Sequence, residues 1–325
     1  MALILTREDV IQVLSMKDCM EVVEKAFVEL VNGTAELPLR IPIKSPDGLS
    51  LYMPAYLKEM KALACKVVAV YKDNPAKFNL PTTIGKVLLQ NPETGEVICV
   101  MDGGYLTAVR TGAASGVATK FLANDKPNMK VGIYGAGVQA KTQLWAVAEA
   151  RNIQIVYVYD KAIELADKFA VDMNAQLNVE VEIATTPEQV LDSDILITAT
   201  SSPTPLFDGK LVKPGTHING IGSHTPNARE LDAEIIKRSK FIGDSREACF
   251  KEAGDIMIPL QEGSITEEHF YAELGEIITG KKPGRTSAEE ITLFKSNGLA
   301  IQDAATAKLV YDKAREQGVG KEIEL

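Results

Sequence analysis

The order of apolar and polar positions divides the chain into three stretches of different character. Over residues 6–32, Val10, Val13, Leu14 and then Met20, Val23, Ala26, Phe27 and Leu30 recur at helical spacing until Gly33 stops the pattern, which predicts helical structure. From there to about Met101 short β-rich runs follow one another: RIPIKS, LSLYMPAYL, ALACKVVAV, TTIGKVLLQN and EVICVMD. Turn clusters such as SPDG, KDNPAKFNLP and NPETG separate them, so an antiparallel sheet is expected. A helix over 106–122 follows. The pattern then becomes an alternation of apolar strands and amphipathic helices, with KVGIYG, IQIVYVYD, VEVEIA, ILITAT, THINGIG and KFIGDS as the strands. Continuous apolar runs in such an alternation predict a doubly wound parallel sheet covered on both faces. The stretch NGLAIQDAATAKLVYDKAREQG reads as one long helix opening near Ala300 and placed to return to the first domain, and TEEHFYAEL reads as a further helix. No internal repeat is visible.

A chain of 325 residues exceeds the usual size of one core, and two domains are expected. Its 46% hydrophobic and 24% charged residues suit folded structure throughout. The formal net charge of −9 leaves no global basic field for nucleic acid or anionic lipid. The first residues, MALILT, meet charge at Arg7, so neither a signal-peptide core nor a membrane span is read there and a cytoplasmic protein is expected. Cys19, Cys65, Cys99 and Cys249 lie far apart without a CxxC pair, which suits reduced thiols and no metal.

The sharpest chemical signal is Gly132-Ile-Tyr-Gly135-Ala-Gly137-Val-Gln-Ala140, directly after a predicted strand and opening a helix. Gly135 permits the tight turn, Gly137 removes a Cβ that would hold the backbone away from a pyrophosphate, and Ala140 lets the helix approach the strand. Val138 and Gln139 open the helix whose free N–H groups would meet the phosphates. Asp160, at the end of IQIVYVYD, stands at the place where an acid receives ribose hydroxyls and repels a 2′-phosphate, favouring NAD over NADP; it also suits the N-cap of the next helix. The adjacent Lys161 leaves room for use of both nucleotides.

Three cations sit in apolar surroundings: Lys66 inside ALACKVVAV, apolar on both faces, Arg40 in LPLRIPI, and Arg110 after YLTAV. A buried cation needs an anion or acceptor. The three can converge on a carboxylate, or each can pair with a structural acid. Among the histidines, His217 alternates within THINGIG and suits a hydrogen-bonded core position. His224 follows that strand in the loop GSHTPN, where ligands of doubly wound sheets bind, and suits either proton exchange or a plain surface role. His269 reads as a helix-face residue. Asp303, in the opening turn of the last helix, is favoured there by the helix dipole and is also a candidate near the reacting groups.

Taken in order, the Lys66 strand, NPETG, VMDGGYLTAVRTGAASGVATKFLA, GIYGAGVQA, GTHINGIGSHTPNARELD and EEITLFKSNGLAIQDAATAK resemble the ornithine cyclodeaminase and μ-crystallin family, which includes archaeal-type alanine dehydrogenases and ketimine reductases. The resemblance covers nearly the whole chain. It implies a homodimer with an NAD-binding Rossmann domain, here 119–305, inserted in a β-rich α+β domain for substrate binding and dimerisation, here 1–118 plus 306–325. It also implies carboxylate-binding roles for Arg40, Lys66 and Arg110, with Thr111 at the cofactor beside Gly135, Gly137, Val138, Gln139 and Asp160. Where the cyclodeaminases carry an Asp after the strand leading into PxxxEL, this chain has His224. An imidazole cannot take every role of a carboxylate, which argues against cyclodeamination. The expected activity is therefore NAD-dependent oxidation of a small L-amino acid, alanine first, to a 2-oxo acid and ammonia. In that reading Arg40 and Arg110 hold the substrate carboxylate, Lys66 orients it and polarises the reacting carbon, His224 relays protons and Asp303 lies near the reacting groups. Ornithine cyclodeamination, ketimine reduction and small-molecule binding without turnover are the alternatives.

Overall fold

The computed structural model describes residues 1–324. It divides into two compact units, Met1–Arg110 together with the C-terminal stretch from Leu299, and Thr111–Gly298. The divisions at 110/111 and 298/299 precede the 118/119 and 305/306 suggested by sequence. The helix Gly103–Leu122 is one 20-residue element, buried over almost its whole length, and nothing along it marks the change of unit. The second division falls at Gly298, whose φ of +77° makes the turn into the helix Ala300–Gln317.

In the first unit, strands β1 (Ala2–Leu5), β2 (Ala35–Glu36), β3 (Ile41–Ser45), β4 (Gly48–Leu57), β5 (Ala62–Val70), β6 (Thr83–Gln90) and β7 (Val97–Asp102) join the C-terminal strand Lys321–Ile323 in one sheet. Strands β3 to β7 pair antiparallel as neighbours along the chain, and β1 adds parallel to β7. The segment read as helical over 6–32 forms two helices, Arg7–Val13 and Met16–Asn32. The break has a local cause: Ser15 takes extended backbone and its hydroxyl caps the second helix by accepting from the Asp18 N–H at 3.2 Å.

β5 buries one face only. Ala62, Ala64 and Lys66 are buried, while Leu63, Cys65 and Val67 on the other face are half-buried, so the strand is not enclosed on both sides as its composition suggested. Met53 of β4 and Val87 of β6 flank Lys66 on the buried face, and the helix Ala300–Gln317 packs across it. The opposite face runs through Ile41, Ile43, Tyr52, Val67 and Ile84, of which all but Val67 are exposed.

The second unit holds eight parallel strands: β8 (Met129–Tyr134), β9 (Ile153–Tyr159), β10 (Glu180–Ile183), β11 (Ile195–Thr198), β12 (His217–Gly220), β13 (Ser239–Gly243), β14 (Phe270–Glu273) and β15 (Ile291–Lys295). Their order, β10-β9-β8-β11-β12-β15-β13-β14, is a Rossmann arrangement that reverses between β8 and β11. Alternate side chains fill separate cores: Ile195 and Ile197 join Val131, Val156 and Phe169 on one face, while Leu196 joins Ile218, Phe241 and Leu293 on the other. The segment TEEHFYAEL is not a helix. Thr266 and His269 close a short 3-10 turn, and Phe270–Glu273 then forms β14 beside β13. No helix among the described residues is long and apolar enough to cross a membrane. Cys19, Cys99 and Cys249 are buried free thiols and Cys65 is half-buried.

Candidate active site

The turn after β8 has the backbone geometry that a pyrophosphate would require. Gly135 has φ +95°, and a Cβ there would meet the Ala199 carbonyl at 2.5 Å, so both its backbone angle and its neighbour demand glycine. Gly137 differs. A Cβ on it would have no neighbour within 4 Å, and it is the N-cap of the helix Val138–Ala150 with no side chain capping that end. No side chain caps this helix start and the space beside Gly137 is open, which fits a bound dinucleotide. Ala140 is fully buried against the sheet. Val138 is exposed, and Gln139 is half-buried with a buried Oε1 that has no partner among the described residues. Thr111 is buried, and the Gln143 side chain donates to its carbonyl at 3.1 Å.

Asp160 shapes the same turn. Its Oδ2 accepts from the Ala136 N–H at 2.9 Å and its Oδ1 from the Ala162 N–H at 2.9 Å. The N-cap of the next helix is Ala162, so Asp160 holds the glycine loop instead of capping that helix. Each carboxylate oxygen keeps acceptor capacity for a hydroxyl. Replacing Gly137 with Ala is expected to lower the melting temperature by only a few degrees, since the added Cβ meets no protein atom and costs no more than the poorer N-cap, and to weaken NADH binding at least about tenfold by occupying the phosphate approach. Fluorescence titration beside thermal melting checks the pair of outcomes.

The first unit holds a buried cluster of opposite charges. Lys66, Arg110 and Asp303 are 2%, 4% and 1% exposed. Lys66 Nζ lies 2.8 Å from Asp303 Oδ2, and Arg110 Nε donates to Asp303 Oδ1 at 2.8 Å. Arg110 Nη1 also donates to Gln302 Oε1 at 2.7 Å. Two cations thus share one carboxylate. The Gln302 Nε2, buried beside them, has no acceptor among the described residues. Burial and the Arg110 charge bring the Lys66 ammonium down to about 7, with Asp303 acting in the opposite sense and Arg40 adding a further downward push. Arg40 itself is half-buried just ahead of β3.

Of the residues singled out in the sequence, Lys66, Arg110 and Asp303 are therefore in contact, and Arg40 is close enough for its charge to act on Lys66. His224 belongs to the other unit; it is exposed in the loop after β12, with Nδ1 3.0 Å from the Gly222 carbonyl. His217 is fully buried, its Nδ1 2.9 Å from the Thr292 hydroxyl, and burial takes its imidazole down to about 3, so it stays neutral. Among the described residues no group of three His, Cys, Asp or Glu side chains is arranged to hold a metal.

The sequence pattern of the ornithine cyclodeaminase/mu-crystallin family matches residues 1–318. The chain belongs to that family. An alanine dehydrogenase of Archaeoglobus fulgidus is 40% identical over 322 residues, covering 99% of this chain and 98% of the relative. The solved structure of Thermococcus litoralis Δ1-pyrroline-2-carboxylate reductase in complex with NADH and L-proline is 49% identical, with a TM-score of 0.95, over 99% of this chain and 100% of that one. An archaeal alanine dehydrogenase dimer with bound NAD is 39% identical, with a TM-score of 0.94, over 100% of this chain and 99% of that one. The second unit of this ornithine cyclodeaminase/mu-crystallin family member is accordingly a Rossmann-type NAD-binding fold.

Two features of this family member escaped the sequence reading. Gln302 precedes Asp303 in a helix start that looked ordinary, and only the packing of that helix on β5 shows its amide reaching Arg110. Glu230 stands in the PxxxEL segment, but its role was not read from the motif, because a Glu in a polar run reads as solvated; it is fully buried.

Proposed function

We propose that this chain is an NAD-dependent oxidoreductase that reduces the C=N bond of a small α-imino carboxylate, with Δ1-pyrroline-2-carboxylate as the substrate to test first. The observation that carries the reading is the buried cluster, in which two cations share one carboxylate beside a Gln302 amide lacking an acceptor. A substrate carboxylate supplies both the missing charge and the missing acceptor. Asp160 favours NAD over NADP, and NADH, when bound, supplies the hydride. Arg110 and Arg40 hold the carboxylate. Lys66, brought down to about 7, gives its proton to the imine nitrogen near neutral pH, and Asp303 keeps the ammonium aimed. One hydride to carbon and one proton to nitrogen complete the amine. A preformed imine needs that single proton, which suits a cluster built around one lysine. The 49% identity with the Thermococcus litoralis reductase supports the same substrate class.

Oxidation of L-alanine to pyruvate and ammonia is the second reading, favoured by the 40% identity with the Archaeoglobus fulgidus enzyme. It uses the same carboxylate site but also needs a group to manage attack of water and departure of ammonia, for which His224 is the candidate. The test is NADH oxidation by the purified protein with Δ1-pyrroline-2-carboxylate, and separately with pyruvate plus ammonia, together with ammonia release from ornithine. Faster turnover of the cyclic imine supports the first reading and faster amination of pyruvate the second; ammonia and proline from ornithine without net NADH change would overturn both.

A pH profile probes Lys66 in the free enzyme. If the protonated amine is the donor, kcat/KM for imine reduction falls as pH rises through about 7, and kcat/KM for the reverse oxidation, which needs the neutral amine, rises over the same range. Profiles of the same sign in both directions would take Lys66 out of the proton transfer.

The exposed apolar strand face of the first unit, with Ile41, Ile43, Tyr52 and Ile84, is where we place a second copy of the chain. The dimer of the archaeal alanine dehydrogenase supports that assembly. Light scattering of the wild type and of Ile43→Asp is expected to give twice the chain mass and a single chain mass, respectively.

A further inference from the structure

The second unit contains a buried carboxylate that the nucleotide cradle does not use. Glu230 Oε1 accepts from the Thr200 N–H at 2.6 Å and from the Thr200 hydroxyl at 2.7 Å, while Oε2 accepts from the Gly222 N–H at 2.7 Å. Thr200 lies two residues beyond β11 and Gly222 two beyond β12, and these strands are neighbours in the sheet. One side chain therefore ties together the loops leaving two adjacent strands. Gly222 has no space for a side chain, since a Cβ would lie 2.4 Å from Glu230 Oε1 and 2.3 Å from the Thr200 carbonyl.

Glu230 is itself held from behind. Its N–H and that of Leu231 donate to Asp255 Oδ1 at 2.7 and 2.9 Å, and Asp255 pairs with Lys295 at 3.1 Å, both without exposed surface. Lys295 then donates to the carbonyl of Gly220, the last residue of β12, at 3.2 Å, so the network closes on the strand beside which it began. The Thr200 hydroxyl also accepts from the Ser202 N–H at 3.0 Å, and the Leu206 N–H donates to the Glu230 carbonyl at 2.9 Å. Buried charge carries a large desolvation cost, and apolar side chains would fill the same volume without it. What the carboxylate adds is directional: it fixes three donors on two loops.

Those loops stand at a defined place in the fold. The strand order reverses between β8 and β11, and ligands of open α/β sheets bind beyond the carboxyl ends of the strands at such a point. The β8 turn and Asp160 after β9 serve the pyrophosphate and the adenosine ribose, which leaves the loops after β11 and β12, in the second mononucleotide half, for the nicotinamide end. We propose that Glu230 is a positioning residue that sets these two loops against the nicotinamide half of the dinucleotide, an inference that rests on reading the chain as an NAD-dependent oxidoreductase.

The test uses Glu230→Gln, which keeps the shape but turns an NH2 group toward one of the N–H donors. Binding of NADH and of ADP-ribose, which lacks the nicotinamide, is measured by calorimetry for variant and wild type, with steady-state kinetics alongside. The expected result is an NADH Kd raised about tenfold with the ADP-ribose Kd within about twofold, and kcat reduced while KM for the imine is kept. Unchanged NADH binding and turnover, or equal loss of NADH and ADP-ribose, would overturn the proposal. A wild type that binds neither nucleotide removes the oxidoreductase reading and this inference with it, an outcome distinct from an unaffected variant. Should Glu230→Gln not fold, Thr200→Val removes the hydroxyl that donates to Glu230 and accepts from the Ser202 N–H, and leaves the Thr200 and Gly222 N–H donors to Glu230 in place; a selective weakening of NADH by about threefold is then expected, and equal ligand affinities to wild type overturn the role.

Discussion

Replacing Lys66 with Met is expected to lower kcat/KM for imine reduction by about a thousandfold while leaving NADH affinity at the wild-type value. The two halves of that expectation come from different units: Lys66 lies in Met1–Arg110, and the nucleotide cradle in Thr111–Gly298. Stability should hold or rise. Met is close to Lys in volume and removes a desolvated ammonium, and Asp303 keeps its 2.8 Å bond to Arg110. Steady-state kinetics, nucleotide titration and thermal melting on one preparation check all three, and turnover near the wild-type rate would remove Lys66 from the mechanism. Lys66→Arg separates charge from proton donation: it keeps a cation for the carboxylate but does not titrate near neutrality, so KM should change much less than kcat.

Replacing Asp303 with Asn is expected to cost about 3–5 kcal/mol of stability, a fall in Tm on the order of 10 °C, because two buried cations lose their shared counterion. The cost should depend on pH. In the wild type the Lys66 amine is held at about 7, and loss of Asp303 lowers it further, since Asp303 acts to raise it. Between that folded value and the unfolded value of about 10.4 the unfolded chain binds more protons than the folded one, so stability rises with pH across the window. Above about 7 the folded amine is neutral in both proteins and their stabilities rise in parallel, so the Lys66 part of the Asp303→Asn deficit should appear only below about 7, where the wild type keeps the ammonium charged and the variant does so at greater cost, and should grow as pH falls. Melts from pH 5 to 8 read this directly, and a deficit that stays constant below pH 7 would show that Asp303 does not act through Lys66. Activity should fall with it, because the ammonium loses the partner that aims it.

The two-unit organisation was legible in the sequence because its signals are local. Alternation between strands and helices, the glycine spacing from Gly132 to Ala140 and an acid at the end of the next strand each depend on backbone geometry within a few residues, so they survive without knowledge of the packing. The same locality explains the misreadings. A helical spacing over 6–32 does not reveal that Ser15 caps a second helix, and TEEHFYAEL carries helix-forming residues that β13 recruits into a parallel strand. Strand ITLFK was quoted only as part of a motif, yet it forms β15 between β12 and β13, a position decided by long-range pairing.

Lys66 could be recognised as a buried cation from the apolar residues around it, but its anion could not be named. Asp303 lies 237 positions away and reaches Lys66 only because the last helix packs on β5, which also delivers the Gln302 amide to Arg110. Glu230 was visible only as the acid of PxxxEL, and its enclosure was hidden for the corresponding reason: nothing within NARELD distinguishes a solvated glutamate from one that three donors on two separate loops will enclose. Composition and spacing determined most of the elements and the glycine turn at which a dinucleotide is expected, since those follow from the conformations open to neighbouring residues. Which charges neutralise one another, and which side chains hold the loops, was decided by tertiary packing, because desolvation makes a pairing obligatory only after distant segments have closed around it.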